Sequence, residues 1–260
     1  RCMKINVVYN KNINGYEEVL ESVESLLIKN KIEFKSCDID NLLPFGEISL
    51  VIGGDGTLLK AARFYSGVNT PVLGINLGRL GFLSQTGSVR DVVEAVINKK
   101  YFVEERTMLA ALDKLALNDF VIKGCDPSRT SKFYLEINGK NVCDYIADGL
   151  IISTPTGSTA YGLSAGGPVL YPTTDVISIV PICPHTLNAR PIVVPAGETI
   201  TVRTGDKLLS VSIDGFDTTQ CVEKISIKTA KNKALLAFLK EGQFYSVLRD
   251  KLHWGISETR

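Results

Sequence analysis

The sequence lacks the residue patterns that usually signal a structural metal or a disulfide framework. Its six cysteines form no CxxC pair, and its only histidines are His185 and His253. These features argue against a thiolate zinc site, a histidine zinc site and a disulfide scaffold. We therefore expect free thiols and no metal held by protein side chains alone.

The chain also has little net charge and no long apolar run. It carries 29 Lys and Arg against 28 Asp and Glu, a formal net charge of +1. That balance gives no basic field for a polyanion, so nucleic acid is not an expected partner. Even the nearly uncharged segment 149–189 is too rich in Gly, Pro, Ser and Thr to span a membrane, and the first residues show no leader-like apolar region. We expect a cytoplasmic protein without a membrane partner.

The first hundred residues alternate apolar strand patterns with helical patterns. This alternation predicts an N-terminal α/β domain with a mostly parallel sheet. The predicted strands are Lys4–Tyr9, Glu33–Cys37, Ser49–Ile52 and Pro71–Ile75, and the predicted helices are Gly15–Lys29, Thr57–Tyr65 and Val89–Lys99.

After about Tyr101 strand patterns dominate, which predicts a β-rich, sandwich-like C-terminal domain. Its predicted strands include Lys132–Ile137, Leu150–Ser153, Ile192–Val194, Ile200–Arg203, Leu208–Ile213 and Lys224–Thr229. We therefore predict domains at residues 1–102 and 103–243. Residues 244–260 are a candidate return to the first domain, with Tyr245–Arg249 as a candidate strand.

The most informative local motif is Gly53-Gly54-Asp55-Gly56-Thr57, where the apolar strand Ser49–Ile52 runs into a helix. Glycines let a phosphate approach the backbone, and a helix N-terminus favours an anion. The motif is neither GxGxxG nor a P-loop. Asp55 is unfavourable beside an anion unless a cation arrives or a hydroxyl must lose its proton there. The alternative is that Asp55 caps a helix beginning near Thr57.

A second motif runs from Asp148 through Tyr161 to Pro168, where a short strand ends in a loop dense in Ser, Thr and Gly. Backbone amides, hydroxyl groups and one aromatic face converge in such a loop, and they suit a nucleoside. The alternative is an ordinary β-turn followed by a tyrosine that belongs to the core.

Together these motifs resemble one family. Gly53–Thr57 is similar to the signature shared by NAD kinases, 6-phosphofructokinases and the diacylglycerol and sphingosine lipid kinases, whereas Asp148–Tyr161 resembles the second signature of NAD kinases alone. Asn118-Asp119 resembles the Asn-Asp/Glu pair of that family. Leu77–Leu83 also fits the family, and Pro184–Pro191 and Arg249–Leu252 are similar to its bacterial members. The motifs follow in order over nearly the whole chain, so the sequence is identified as a member of the NAD kinase family.

The resemblance implies a role for individual residues. Asp55 corresponds to the proton acceptor, and Asp55, Gly56 and Lys60 to positions that contact NAD or phosphate; Lys60 can instead be a solvated helix charge. Asn118 can bind an adenine edge and Asp119 can accept from ribose hydroxyls, unless they form only a polar turn. The implied dinucleotide-binding stretch comprises Asp148, Thr156, Thr159, Ala160, Tyr161, Gly162, Leu163 and Ser164, in part for a neighbouring subunit.

The resemblance also implies a phosphate region. It comprises Gly53, Gly54, Thr57 and Asp214. Asp214 can instead be a hairpin-turn aspartate, and Arg79 and Arg190 can steer phosphates or be structural. Ile146 is a departure, because many relatives have a basic residue two positions before the equivalent of Asp148.

The implied activity is phosphorylation of the adenosine 2′-hydroxyl of NAD by ATP, polyphosphate or another donor, with a divalent cation such as Mg²⁺ carried by the donor. The implied assembly is a homodimer or homotetramer, which the apolar region Val169–Cys183 also favours. A lipid kinase shares the first signature, but the second signature and Asn118-Asp119 argue against it. A catalytically idle NADP(H)-binding sensor is the other alternative, and the intact Asp55 argues against that.

Overall fold

The computed structural model describes residues 3–77, 81–85, 87–126, 129–186, 188–205 and 208–253. The chain divides into two compact units. Unit 1 comprises residues 1–105 together with 234–260, and unit 2 comprises residues 106–233. No helix in the described residues is long and apolar enough to cross a membrane.

Unit 1 is built on a mostly parallel sheet, as predicted. Its first strands are β1 (Lys4–Tyr9), β2 (Glu33–Asp38), β3 (Ile48–Ile52), β4 (Val72–Ile75), β5 (Ser84–Gln85) and β6 (Phe102–Arg106), and its first helices are α1 (Tyr16–Lys29), α2 (Asp55–Ser66) and α3 (Val89–Ile97). Strands β2, β1, β3 and β4 are neighbours in that order and pair in parallel, and β5 pairs in parallel with β4.

The helices of unit 1 cover both faces of this sheet, because successive strand residues point to opposite sides. Val23 of α1 and Val92 of α3 pack with Ile5 and Leu50 in one apolar core. Helix α2 packs on the other face, where a Cβ added to Gly74 of β4 would lie 2.5 Å from Cδ2 of Leu58. This close packing fixes α2, and therefore its N-terminus, against the sheet.

The strand order places the first motif at a recognised binding position of α/β folds. Strand β2 lies on one side of β1 and β3 on the other, so the carboxyl ends of β1 and β3 border a topological switch point, where open α/β sheets bind ligands. Asn10 follows β1 and Thr57 follows β3, and Asn10 Nδ2 donates to Thr57 Oγ1 at 3.2 Å. The Gly53–Thr57 turn therefore lies at this switch point.

Unit 2 contains the β-rich fold that the sequence predicts. Its strands are β7 (Leu109–Ala111), β8 (Lys114–Ala116), β9 (Asp119–Gly124), β10 (Ser131–Ile137), β11 (Lys140–Ala147), β12 (Gly149–Ser153), β13 (Val176–Ile182), β14 (Ile192–Pro195), β15 (Ile200–Thr204), β16 (Leu209–Ile213), β17 (Asp217–Val222) and β18 (Lys224–Thr229). A 3₁₀ turn (Thr156–Thr159) and a short helix α4 (Tyr161–Ser164) interrupt them.

These strands form two six-stranded sheets in the orders β14-β13-β12-β9-β16-β17 and β11-β10-β15-β18-β7-β8. Phe120 and Leu150 of the first sheet share one buried core with Phe133 and Val202 of the second. This shared core makes unit 2 a β-sandwich.

The packing of strand β13 removes one sequence-based argument for an oligomer. Ile177 and Ile179 belong to the sandwich core, while Val180 and Ile182 belong to a second buried cluster on the opposite face of the sheet. The apolar region Val169–Cys183 is therefore largely used by the packing of its own unit. Its composition does not by itself support an oligomer.

After unit 2 the chain returns to unit 1. Strand β19 (Ala234–Phe238) pairs in parallel with β4, and helix α5 (Phe244–Leu252) follows. The return thus begins at Ala234 rather than at residue 244. The predicted strand Tyr245–Arg249 is wrong, because this segment forms part of α5. A short apolar pattern fits both the two-residue period of a strand and the period of about 3.6 residues of a helix.

The prediction that all cysteines carry free thiols is also wrong in part. Cys37, Cys143 and Cys183 are free, but Cys125 is disulfide-bonded. A disulfide requires two Cα atoms within about 7 Å of each other. Spacing along the sequence does not report that distance, so the pattern of cysteines could not predict this bond.

A buried asparagine ties the strands of unit 1 to a neighbouring loop. Asn6 is 1% exposed, donates from Nδ2 to Ser49 Oγ at 2.9 Å, and accepts at Oδ1 from the amides of Phe45 and Gly46 at 3.1 and 2.8 Å. The hydrogen bonds satisfy both ends of a side chain that burial would otherwise penalise.

We expect Asn6→Ala to lower the free energy of unfolding by about 2–4 kcal/mol, because buried polar groups lose their partners. Urea denaturation followed by circular dichroism measures the change. Asn12→Ala at an exposed position of the same unit is the matched control and should stay within about 0.5 kcal/mol of the parent. Equal effects of the two substitutions would contradict the assignment.

Candidate functional site

The carboxylate of Asp55 is held outside the helix that Asp55 begins. Gly54 occupies the N-cap position of α2, and no side chain caps this helix. Asp55 Oδ2 accepts from the amide of Phe82 at 2.8 Å, and Oδ1 accepts from the amide of Leu83 at 3.2 Å. The interpretation of Asp55 as a helix cap is therefore wrong. Its side chain stays 31% exposed, which leaves the carboxylate accessible to a ligand.

The glycines around Asp55 have two different functions. A Cβ added to Gly81 would overlap Asp55 Oδ1, and one added to Gly53 would lie 2.7 Å from Thr57 Oγ1, so both positions allow close packing. At Gly54 and Gly56 an added Cβ would meet nothing within 4 Å. The backbone at these two glycines therefore faces open space, where an anion can approach the N-terminus of α2.

Of the three predicted basic residues, Lys60 pairs with a carboxylate other than Asp55. The Lys60 ammonium group lies 2.5 Å from Asp40 Oδ1 in an exposed ion pair, which agrees with the solvated-charge alternative. Arg79 lies outside the described residues. Arg190 belongs to unit 2 and donates to the carbonyl of its neighbour Ala189 at 2.8 Å.

A cation that the sequence reasoning missed does reach Asp55. Lys251 of α5 places its ammonium nitrogen 3.9 Å from Asp55 Oδ2. The resemblance included Lys251 in the segment Arg249–Leu252 without giving it a role. No local spacing relates it to Asp55, which lies almost two hundred residues earlier in the chain.

Unit 2 contains a pocket of about 410 Å³ on the outer face of the sheet that includes β9 and β16. Its lining residues are Asn118, Asp119, Val121, Lys123, Ala160, Tyr161, Ser210, Ser212, Asp214 and Gly215. Five of these were predicted: Asn118, Asp119, Ala160, Tyr161 and Asp214. The sequence reasoning missed Gly215 and four strand residues, Val121, Lys123, Ser210 and Ser212. The two-residue spacing of these four on β9 and β16 is the signal that could have placed them on one face.

Asp214 organises the backbone of this pocket. Its backbone is in the left-handed region, at φ +51°, and its carboxylate accepts from the amides of Leu117, Asn118 and Asp119 at 3.0, 2.7 and 3.1 Å. Its own amide donates to the Asp119 carbonyl at 3.0 Å. The carboxylate that we assigned to a phosphate region is thus engaged with backbone amides.

The second signature packs against the same backbone segment, at Leu117 and Asn118. Thr154 Oγ1 donates to the Leu117 carbonyl at 2.5 Å, and the Thr154 amide donates to the Asn118 carbonyl at 2.8 Å. A Cβ added to Gly157 would overlap the Asn118 carbonyl. The Asn-Asp pair and the Ser/Thr-rich loop, far apart in sequence, are therefore one packed unit.

Asp119 is, with Asp214, one of two buried acids in the lining of the pocket. It is 3% exposed, and in the part of the chain that the structure describes no side-chain or backbone donor reaches its carboxyl group. Burial, reinforced by the charge of Asp214, raises the pKa of Asp119 to about 7. Near neutral pH this group is therefore balanced between acid and carboxylate, and a ligand hydroxyl that donates to it would favour the carboxylate.

The remaining predicted residues take different places. Tyr161 is 40% exposed at the pocket, with Lys123 Nζ 6.0 Å from the centroid of its ring. Thr156 is buried and accepts from Arg106 Nη1 at 3.4 Å. Asp148 is exposed and precedes β12, at the opposite end of that strand from Ser153. The residues that lie outside the pocket lining are Asp148, Thr156, Thr159, Gly162, Leu163 and Ser164.

Comparisons with known proteins agree with this architecture. The family model of the ATP-NAD kinase N-terminal domain matches residues 17–101, and that of the ATP-NAD kinase C-terminal domain matches residues 117–238. The NAD kinase of Clostridium tetani is 35% identical, with 97% of this chain and 99% of that protein covered. The NAD kinase of Geobacter metallireducens is 40% identical over 80% of this chain and 79% of its own.

Solved structures extend the similarity. An NAD kinase from Archaeoglobus fulgidus in complex with ATP has 26% identity and a TM-score of 0.81, covering 96% of this chain and 99% of its own. Yeast NADH kinase complexed with NADH, at 22% identity and a TM-score of 0.84 over 98% of this chain and 89% of its own, shares the fold. Because both family domains match in order and curated relatives align over nearly the full chain, this protein belongs to the NAD kinase family.

Proposed function

We propose that the protein transfers the γ-phosphoryl group of ATP to the adenosine 2′-hydroxyl of NAD, giving NADP and ADP. The observation that carries this proposal is the Asp55 carboxylate, held by two backbone amides yet accessible beside the open glycine turn, in a chain of the NAD kinase family. That arrangement supplies a proton acceptor next to an anion-binding helix N-terminus.

In the proposed reaction the 2′-oxygen forms a bond to the γ-phosphorus, and the bond from this phosphorus to the β–γ bridging oxygen breaks. The hydroxyl proton passes to Asp55, and ADP leaves. The two amides on Asp55 fix the direction of its carboxylate, while the open backbone at Gly54 and Gly56 receives phosphate oxygens. The enzyme thus contributes mainly position, charge and one proton transfer.

A divalent cation such as Mg²⁺ fits this site as a companion of the donor. Mg²⁺ in phosphoryl-transfer sites is commonly held by one or two carboxylates and by substrate phosphates. The described residues hold no group of three or more His, Cys, Asp or Glu side chains that could bind a metal ion. The accessible Asp55 carboxylate could contribute one oxygen ligand to a cation held mainly by the donor phosphates. When bound, the cation would neutralise the charge on the donor phosphates.

Unit 2 is the dinucleotide-recognition unit in this proposal. Asn118 offers an amide for an adenine edge, Asp119 a carboxylate for ribose hydroxyls, and Tyr161 an accessible aromatic face. Lys123 adds a positive charge to the same pocket, suited to a substrate that carries a pyrophosphate. The residues of the second signature outside the pocket support its backbone or, in an oligomer, serve a neighbouring subunit.

The family resemblance supports three further parts of the proposal: a homodimer or homotetramer, a cytoplasmic location, and polyphosphate as an alternative donor. An assay that offers NAD, NADH and diacylglycerol with ATP or polyphosphate tests the substrate assignment. NADP formation that is absent with denatured protein rules out the idle sensor. Phosphorylation of diacylglycerol but not of NAD would favour the lipid kinase.

The first functional prediction concerns Asp55. Asp55→Asn keeps the size of the side chain but removes its basicity, so we expect kcat to fall by at least about 100-fold while NAD binding persists. Steady-state NADP formation by the folded variant measures this. Asp40→Asn, the same substitution at the exposed partner of Lys60, is the control and should retain normal turnover. If Asp55→Asn stays within a few-fold of the parent, Asp55 is not the base.

The second prediction concerns Asn118. Its side chain is proposed to hold a non-reacting part of NAD, which stabilises the ground state and the transition state alike. Asn118→Ala should therefore raise KM for NAD by about 10-fold or more and change kcat little. Asn141→Ala, at an exposed position of unit 2, should change neither constant. A fall in kcat at unchanged KM would show that this assignment is wrong.

The third prediction is a pH dependence of NAD binding. Because the pKa of Asp119 is about 7 in the free protein, ribose hydroxyls that favour its carboxylate should lower this pKa and release a proton. The affinity for NAD should then rise with pH up to about 7 and become constant above it. Below pH 7 it should change by at most about tenfold per pH unit. Titration calorimetry in buffers of different ionisation enthalpy measures the proton release. The Asp119→Asn variant should bind NAD without releasing this proton. An equal proton release from that variant would contradict the prediction.

A further inference from the structure

The C-terminal helix α5 directs a lysine to the proposed catalytic carboxylate. Val247 and Leu248 are the buried residues of this helix, and Lys251 follows them at the spacing of four and three residues that places it on the same side. Its ammonium nitrogen lies 4.7 Å from the centroid of the Phe82 ring and 3.9 Å from Asp55 Oδ2. The helix thus turns a charged side chain inward, towards the Gly53–Thr57 turn.

The contribution of this ion pair to the stability of the fold does not by itself explain why Lys251 lies beside Asp55. The side chains of Lys251 and Asp55 are 30% and 31% exposed, and ion pairs that water can reach contribute little to folding. The Asp55 carboxylate already accepts two backbone amides, from Phe82 and Leu83. It therefore does not need the lysine to satisfy its hydrogen bonds, and a functional reason is the better explanation.

The chemistry at Asp55 provides that reason. A phosphoryl group that reaches a hydroxyl hydrogen-bonded to Asp55 brings negative oxygens close to a carboxylate, and this repulsion must be offset. Reacting oxygen and phosphorus approach to about 3–3.5 Å. An ammonium group 3.9 Å from Asp55 Oδ2 on a flexible four-carbon stem can reach oxygens placed there. Among the ion pairs of the described residues, Lys251 is the cation that Asp55 contacts.

We propose that Lys251 is a second catalytic residue, whose ammonium group binds oxygens of the transferred phosphoryl group beside Asp55. This inference rests on the proposed kinase function. In the free protein Lys251 neutralises Asp55, and in the reaction it turns to the phosphoryl oxygens as they gain charge. The helix α5 is therefore part of the active site.

The first test compares Lys251→Met, Lys251→Arg and Lys240→Met in steady-state NADP formation. Met keeps the stem and removes the charge, so kcat should fall by about 10- to 100-fold with KM for NAD little changed. Arg keeps the charge and should restore most of kcat. Lys240 is exposed in the same unit, and its substitution should leave both constants unchanged. A kcat of Lys251→Met within twofold of the parent would overturn the proposal, as would an equal loss in the Met and Arg variants.

The second test does not depend on turnover. Inorganic tripolyphosphate should bind the parent protein several-fold more tightly than Lys251→Met by titration calorimetry, and equal affinities would overturn the phosphate-binding role. If Lys251→Met does not fold, Lys251→Ala with added propylammonium replaces it, and recovery of NADP formation is the expected result; no recovery counts against the proposal. A parent protein that binds tripolyphosphate through Lys251 but forms no NADP would refute the kinase function and leave the phosphate site standing.

Discussion

One carboxylate that accepts from three consecutive backbone amides sets the geometry of the pocket in unit 2. Asp214 binds the amides of Leu117, Asn118 and Asp119, which mark the entry into β9. Hydrogen bonds between a carboxylate and backbone amides are among the stronger ones in proteins. They fix where the Asn118 and Asp119 side chains leave the backbone. The two groups proposed to recognise NAD therefore depend on a residue nearly a hundred positions away.

Three aspartates illustrate how the surroundings decide the chemistry of one residue type. Asp214 is buried with its charge distributed over amide donors, which stabilises the carboxylate. Asp119 is equally buried but lacks such donors in the described residues, so its pKa rises to about 7. Asp55 combines two amides with solvent access and a nearby ammonium group. These surroundings suit Asp214 to a structural role, Asp119 to ligand recognition and Asp55 to proton transfer.

The chain path explains why a residue of the C-terminal helix lies beside Asp55 in unit 1. Strand β19 pairs with β4, so the chain re-enters the first sheet after building the whole sandwich. This return brings α5 back to the unit that holds the Gly53–Thr57 turn, and Lys251 to Asp55. A helix with few buried residues of its own thereby supplies a charged group to the site.

The class of the fold and the position of the two signatures could be predicted from the order of the residues alone. Alternating apolar patterns report burial on strands and helices, so the parallel sheet and the β-sandwich could be predicted, and glycine turns report local backbone freedom, so the Asp55 turn could be found. Tertiary structure alone decided which distant groups meet: Asp214 at Asn118, Lys251 at Asp55, Lys60 at Asp40, and the bonded state of Cys125. The physical reason is that propensity and periodicity act over a few residues, whereas these contacts depend on the path of the whole chain.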